Sequence, residues 1–243
     1  MDPSAPVVTL VSRGADRVLH GLLRGARDVV GLGAPSACAG CGLPGASVCA
    51  GCSALLAGPP RPHRPSPAPP GWPAAFVVTE YAGTTRSLIA AWKERGRRDV
   101  AHHLALALAG AIEAALGCDD RCAAIVPIPA SAAARRRRGE DAWARVVRLA
   151  VRGMARRGRC IRVEPVLRLT RQPRDQSALS SRERRENVRE ALACTRVPEG
   201  AIVIVDDIVT TGATIAEAAR ALSVAGADPV SVAAIAATFR SGC

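Results

Sequence analysis

The stretch Ala201-Ile-Val-Ile-Val-Asp206-Asp207-Ile-Val-Thr210-Thr211-Gly212-Ala213-Thr214 decides how this chain is read. Ala201 to Val205 has the length and β-branched content of a buried strand. Two adjacent carboxylates end it, a turn rich in Thr and Gly follows, and helical periodicity runs from Ala213 to Ala225. In open α/β sheets, ligands bind beyond the carboxyl ends of parallel strands. Backbone N–H groups at a helix start, with Thr hydroxyls beside them, form a cradle for a phosphate. Gly212 lets the backbone approach a ligand with no Cβ in the way. Carboxylates just before that cradle can accept hydrogen bonds from two vicinal hydroxyls. A phosphate at one end and a diol beside it describe a ribose 5-phosphate. The plainer alternative is that the acids cap a turn and that Thr210 or Thr211 caps the helix. It accounts for any one of these residues but not for the ordered string. A Walker B strand also ends in acids, but its partner loop needs G-x-x-x-x-G-K-[ST]. The single lysine, Lys93, stands between Trp92 and Glu94, so that rival fails within this chain.

Strand-like and helix-like segments alternate on both sides of this stretch. Residues 75–79, 123–128, 161–169 and 230–238 read as strands. Residues 85–95, 100–116, 141–157 and 182–192 read as helices. Such alternation predicts an α/β fold with a mainly parallel sheet covered by helices. Near the start, residues 11–31 have helical period, with Val11, Val18, Leu22 and Val29 near one face. Residues 57–73 are rich in proline, which fixes φ and removes the N–H donor, so they can be neither helix nor central strand. The expected organisation is a cysteine-bearing module at 1–56, a semi-rigid linker at 57–73 and the α/β domain at 74–243.

Cys38-Ala-Gly-Cys41 and Cys49-Ala-Gly-Cys52 are two matched knuckles. Each turns two thiolates toward one centre, and together they complete a tetrahedral S4 shell that suits structural zinc. An iron–sulfur cluster and redox thiols are the other uses of such spacing. Cys118, Cys122, Cys160, Cys194 and Cys243 lack that pairing and read as isolated structural cysteines.

The formal net charge of +12 over 243 residues comes almost wholly from arginine. A basic surface attracts polyanions, which concerns encounter rather than fold. No export segment is apparent at the start, where Arg13, Arg17, Arg24 and Arg27 interrupt any apolar run. The stretch Leu104 to Leu116 is too short to span a bilayer. The expectation is a cytoplasmic protein without a membrane span.

The run from Ile202 to Thr214 resembles the signature of the type I phosphoribosyltransferase family. That resemblance implies that Asp206 and Asp207 bind the ribose hydroxyls of 5-phosphoribosyl diphosphate. It also implies that Thr210, Thr211, Gly212, Ala213 and Thr214 bind its 5-phosphate, with Mg²⁺ on the diphosphate. A four-cysteine module ahead of such a domain is similar to the ComF family, related to competence protein F and the GntX group. Further segments look similar to that family: Tyr81 to Lys93 ahead of Gly96, Val126 to Pro129 with Arg135 to Gly139, and Arg171 to Asn187 with Gln176 and Arg185. The chain departs from the family at Gly139-Glu140-Asp141, where an aromatic residue and Asn or Asp are usual, and at Leu192, which replaces an aromatic.

Arg135, Arg136, Arg137 and Arg138 follow a strand end, where a diphosphate needs multidentate cations; a solvated basic loop is the alternative. Lys93, retained in a chain that otherwise uses arginine, offers a compact ammonium to a phosphate oxygen, against an ordinary exposed helix lysine. The polar stretch from Thr170 to Asn187, including Arg171, Gln176, Arg185 and Asn187, reads as a loop suited to close over a ligand, against a plain surface loop. Two functions follow. One is a phosphoribosyltransferase whose acceptor the sequence does not name. The other, implied by the competence resemblance, is a protein that handles single-stranded DNA or joins the DNA-uptake machinery and keeps the phosphoribosyl site for binding or regulation. Against the second, single-strand binders stack bases on aromatics, and this chain has three Trp, two Phe and one Tyr.

Overall fold

Short runs of Val, Ile and Ala, separated by helical periods, become the strands of one sheet. The computed structural model describes residues 37–118, 121–130, 142–171, 181–227 and 230–239. In chain order the elements begin with α1 (Ala50–Leu56), β1 (Arg61–Pro62), β2 (Ala74–Glu80) and α2 (Gly83–Lys93). A 3-10 turn (Arg98–Val100) runs into α3 (Ala101–Leu116), followed by β3 (Ala123–Pro127), α4 (Ala142–Arg156), β4 (Ile161–Val163) and β5 (Leu167–Leu169). The chain continues with α5 (Ser181–Val188), β6 (Leu192–Cys194), β7 (Ala201–Val209), α6 (Ala213–Val224) and β8 (Val230–Ala237). The expected helix at 11–31 lies outside the described residues.

The main sheet has the order β1-β2-β8-β7-β3-β4. Only β1 is antiparallel to its neighbour. This is the mixed α/β fold with a mostly parallel sheet that the alternation predicts. Helices α2, α3 and α4 cover one face, where Leu88, Leu104, Leu108, Ile112 and Met154 are buried with Val203 and Ile235. On the other face α6 and the β5–β6 hairpin bury Ile204, Ile215 and Leu222. Each such fully buried aliphatic side chain contributes about 1.5–3 kcal/mol. The residues from Arg98 to Leu116 form a helical run long and apolar enough to cross a membrane. Here they form a central core helix, apolar on most sides because α3 packs against the sheet on one side and against α4 and α1 on others.

The register of β7 positions the site. Its pairing with β3 ends at Pro127↔Val205, whereas its pairing with β8 continues to Val209↔Ala237. Ile128 donates one more N–H to the Val205 carbonyl, 3.1 Å away. Pro129 follows, and it has no N–H to give. The connection from β3 leads through α4 to β4, and the connection from β7 leads through α6 to β8, in the opposite direction along the sheet. Such a divergence leaves a crevice at the strands' carboxyl ends.

Several boundaries differ from the sequence expectation. The strand expected to stop at Val205 runs on to Val209, because β8 continues to pair with it. The strand expected over 161–169 divides into β4 and β5 at Glu164-Pro165, where Glu164 is buried and held by Arg162 at 2.8 Å and by Arg196. The helix expected to reach Leu192 ends at Val188. Leu192 joins β6 instead, and its N–H donates to buried Glu217 of α6 at 3.2 Å. Cys122 and Cys160, expected to be isolated, are joined as a disulfide: the Ala123↔Ile161 register sets the preceding residues side by side, with Cα atoms 4.6 Å apart. The proline-rich run lies along the sheet edge as a strap, contributing β1 and burying His63, Pro65 and Pro69. A proline in an edge strand costs no ladder bond.

Gly200 starts β7 under a tight constraint. Its φ is +89°, and a Cβ there would lie 1.9 Å from the Cys122 carbonyl oxygen. Gly200→Ala is expected to lower stability by more than about 1 kcal/mol, read as a lower urea midpoint with an unchanged slope.

Candidate functional site

β7 carries Asp206 and Asp207 beyond the point where β3 leaves it. Strand alternation turns the two side chains to opposite faces. Asp207 faces α2, whose last residue, Lys93, places Nζ 2.6 Å from Asp207 Oδ2. Asp206 Oδ1 accepts the Asp207 N–H at 2.9 Å. Asp206 is part-buried, and the cost of desolvating its charge raises its pKa, with the neighbouring Asp207 charge adding to the effect. Lys93 and the Asp207 amide pull the other way, and the net result is pushed up to about 7. Near neutral pH Asp206 therefore exchanges between acid and carboxylate, and can donate as well as accept a hydrogen bond.

The turn after β7 leaves Thr210 exposed, Thr211 and Thr214 part-buried, and Gly212 and Ala213 buried. Gly212 caps α6 in the left-handed region (φ 71°, ψ 2°), and its carbonyl accepts the Ala216 N–H at 2.9 Å. The first-turn amides of a helix have no intrahelical acceptor. That of Ala213 reaches Thr211 Oγ1 at a long 3.4 Å. Gly212 was expected to keep space open for a ligand. The structure gives it another task, since a Cβ there would lie 2.4 Å from the Trp72 ring and 3.0 Å from Pro65. The strap seats its indole on this glycine and fixes it through Trp72 Nε1 donating to the His63 carbonyl at 3.2 Å. The turn is not sealed: Ala213 borders a cavity of about 470 Å³ between Pro69 and Pro70 of the strap, α5, and Ala216 of α6.

Asp206, Asp207, Lys93 and the turn from Thr210 to Thr214 thus come together at one end of the sheet. Arg135, Arg136, Arg137, Arg138, Gln176 and the Gly139-Glu140-Asp141 departure lie outside the described residues. Arg171 is used locally, its Nη2 donating to the carbonyls of Arg189 (2.7 Å) and Glu186 (3.4 Å). Arg185 and Asn187 sit on α5, which packs on α6. Trp92 and Trp143 are buried edge-to-face with centroids 6.2 Å apart. Sequence reasoning missed Trp72 and Glu217. A tryptophan retained within a proline-rich run of an aromatic-poor chain was the available signal for the first. For the second it was a glutamate three residues before an arginine on an alanine-rich helix: Glu217 takes Arg220 at 2.7 Å, and Arg220 in turn reaches the Leu192 carbonyl at 3.2 Å.

The four cysteines of the knuckles meet. Their Sγ atoms all lie within 4.8 Å of one another, with Cys41 and Cys49 at 3.6 Å. A tetrahedral S4 shell with ~2.3 Å bonds has S···S edges of roughly 3.8 Å, so the donor set fits a structural metal such as zinc. Backbone bonds shape the knuckles: Cys38 N–H to Leu43 O at 2.7 Å, Ala39 N–H to Ser47 O at 2.8 Å, and Gly42 N–H to Cys38 O at 2.9 Å. Burial acts to raise the Cys38 thiol, but amides of Cys41, Cys49 and Gly40 outweigh it and bring it down to about 6. Burial and the three neighbouring thiols push Cys52 up.

No protein-family model matches the chain, and a search of curated proteins returns no match.

Two outcomes follow from these electrostatics. Between about pH 4 and 7 the folded chain holds a proton on Asp206 that the unfolded chain has released. Its contribution thus favours folding most at low pH and declines as pH rises through that window. Asp206→Asn should remove this slope and raise stability at pH 8, by on the order of 1 kcal/mol or more, read from thermal midpoints at pH 5 and pH 8. At the cysteine cluster, purified protein should carry one zinc per chain. Cys52→Ser should lose the metal and lower the thermal midpoint, and affinity should weaken as pH falls because thiolates must be formed. Metal analysis and chelator titration check both.

Proposed function

We propose that this chain is a type I phosphoribosyltransferase-like protein, related to the ComF group, that binds 5-phosphoribosyl diphosphate with Mg²⁺ at the end of β7. One observation carries the reading: two adjacent acids at the carboxyl end of β7 and the glycine-capped helix start that follows them lie where the sheet's connections diverge. Each part matches a part of the ligand. Asp206 and Asp207 take the vicinal ribose hydroxyls, and an Asp206 carboxyl poised near neutrality can serve either as donor or as acceptor there. The first-turn amides of α6, with the hydroxyls of Thr210, Thr211 and Thr214, take the 5-phosphate.

Displacement at ribose C1 builds positive charge on the sugar, and carboxylates beside the ring favour that charge. Bound Mg²⁺ supplies neutralisation of the leaving diphosphate. Lys93 keeps a cation at the Asp207 side of the site and can share its ammonium with ligand oxygens. The acceptor brings its own nucleophile. The DNA-handling alternative draws on the +12 charge and on no residue of the site.

Titration calorimetry with 5-phosphoribosyl diphosphate and Mg²⁺ tests the first step. Wild type should give saturable heat, and Asp206→Asn/Asp207→Asn should weaken binding about ten- to hundredfold. Equal binding by both proteins counts against the reading. Steeply salt-dependent binding to single-stranded DNA, indifferent to the phosphoribosyl compound, moves the function to nucleic-acid handling.

A further inference from the structure

We propose that the four-cysteine cluster is a positioning element for the acidic site: metal in the cluster fixes α2, and α2 holds Lys93 on Asp207. The two knuckles grip α2 on both sides of that lysine. At its first turns, Gly40 lies so close that a Cβ there would stand 2.8 Å from Thr84 Cγ2 and 3.2 Å from Leu88 Cγ, with Cys52 Sγ at 2.9 Å. Just past its last residue, the Arg97 guanidinium donates to the Ala37 carbonyl at 3.3 Å and to the Ser47 carbonyl at 3.4 Å. Asp99 holds that guanidinium in place, with Nη2 to Oδ2 at 2.7 Å. Ala37 directly precedes Cys38, and Ser47 lies two residues before Cys49. Cys38, Val48 and Cys52 are themselves buried in the same core as Leu88 and Trp92 of α2.

Besides a metal, the knuckles are shaped by their own backbone bonds and by the burial of Cys38, Val48 and Cys52. Their apolar content is small, and a segment of this size depends on its metal for order. A metal would tie the four thiols, which lie within 4.8 Å of one another, to one point, and its removal would untie them. Relaxing them releases the contacts at Gly40, Ala37 and Ser47. The remaining packing of α2, through Ile89 and Trp92 and the Thr85–Thr79 hydroxyl contact of 3.1 Å, keeps the helix on the sheet. Losing the grips therefore loosens the end of α2 that carries Lys93 without unfolding the helix, and the 2.6 Å pair with Asp207 opens. The consequence for ligand affinity rests on the phosphoribosyl reading, but the coupling itself does not.

Lys93 is the single lysine of the chain, so its reactivity reports the pair directly. Acetylation by an N-hydroxysuccinimide ester, followed by mass spectrometry of the Lys93 peptide, needs no phosphoribosyl ligand. Lys93 should react slowly in zinc-loaded protein, several-fold faster after chelation, and slowly again after zinc is restored. Asp207→Asn should react faster than wild type in zinc-loaded protein and narrow the difference that chelation makes, because the ion pair contributes to protecting the amine. Arg97→Ala touches neither a metal ligand nor the buried core, and should speed Lys93 acetylation several-fold while circular dichroism stays native. Equal rates in loaded and stripped folded protein overturn the proposal. If stripping unfolds the chain, Arg97→Ala decides: a wild-type rate there, at any zinc content, overturns it. Failure here with intact calorimetric binding removes the coupling and leaves the phosphoribosyl reading standing.

Discussion

The mismatch in length between β3 and β7 is the constraint on which the site depends. Backbone N–H and C=O groups in a sheet must find partners, and β3 stops supplying them to β7 after Ile128 bonds the Val205 carbonyl. β8 continues to pair with β7 through Val209, so the strand stays extended while one of its edges is released from the sheet. Asp206 and Asp207 fall within that one-sided segment. Acids placed four residues earlier would be sealed between neighbouring strands. Placed beyond the turn, they would lack a rigid support. Rigidity from β8 and release from the β3 ladder meet there, and Pro129, after Ile128, has no N–H with which to continue that ladder.

Charge at this end of the sheet is arranged by residue type. Elsewhere the chain uses the planar fork of arginine to bind carbonyls and carboxylates: Arg162 and Arg196 on Glu164, Arg220 on Glu217 and the Leu192 carbonyl, Arg97 on Asp99 and the knuckle carbonyls. Those pairs fasten pieces of backbone. At Asp207 the cation is a lysine, a compact charge on a flexible stem that can be shared between partners. The effect on the two acids is unequal. Lys93 touches Asp207, while Asp206 is left with desolvation and a like charge beside it, which raises its pKa.

Much of this was legible in the residues. Alternating apolar runs and helical periods predicted the parallel sheet, and the matched Cys-Ala-Gly-Cys pairs predicted the meeting of four thiols that the structure shows. The string from Asp206 to Thr214 predicted two acids at a strand end and a Thr- and Gly-rich turn leading into a helix from Ala213, and the structure has that order. What escaped depends on contacts between segments distant in sequence. The end of β7 is set by β8, which lies beyond α6, and Leu192 left its expected helix because Glu217 captures its amide. Nothing local says that Gly212 also makes room for Trp72, some 140 positions earlier. A glycine's requirement is legible in sequence, but the group that imposes it is not.

The strap brings these threads to one place. Proline-rich chain loses little entropy on ordering and has few N–H groups to satisfy, so it can lie along a sheet edge with sparse hydrogen bonding. Among the described residues its ties are the β1–β2 pairing, the His63 N–H to the Ala75 carbonyl at 2.8 Å, and the indole bond of Trp72 to the His63 carbonyl. Packing supplies the rest: His63 sits edge-on to Phe239 with centroids 4.9 Å apart, and Arg61 lies over the same ring at 4.2 Å. The turn between β7 and α6 is consequently held from three directions: by β8 through the Thr238 N–H on the Val209 carbonyl at 2.9 Å, by α6 through its own first turn, and by Trp72 pressed on Gly212. A cradle whose amides must already point outward before a phosphate arrives requires such bracing, because ordering it on binding would subtract from affinity. A segment that composition marks as a connector thus braces the turn on which the proposed chemistry relies.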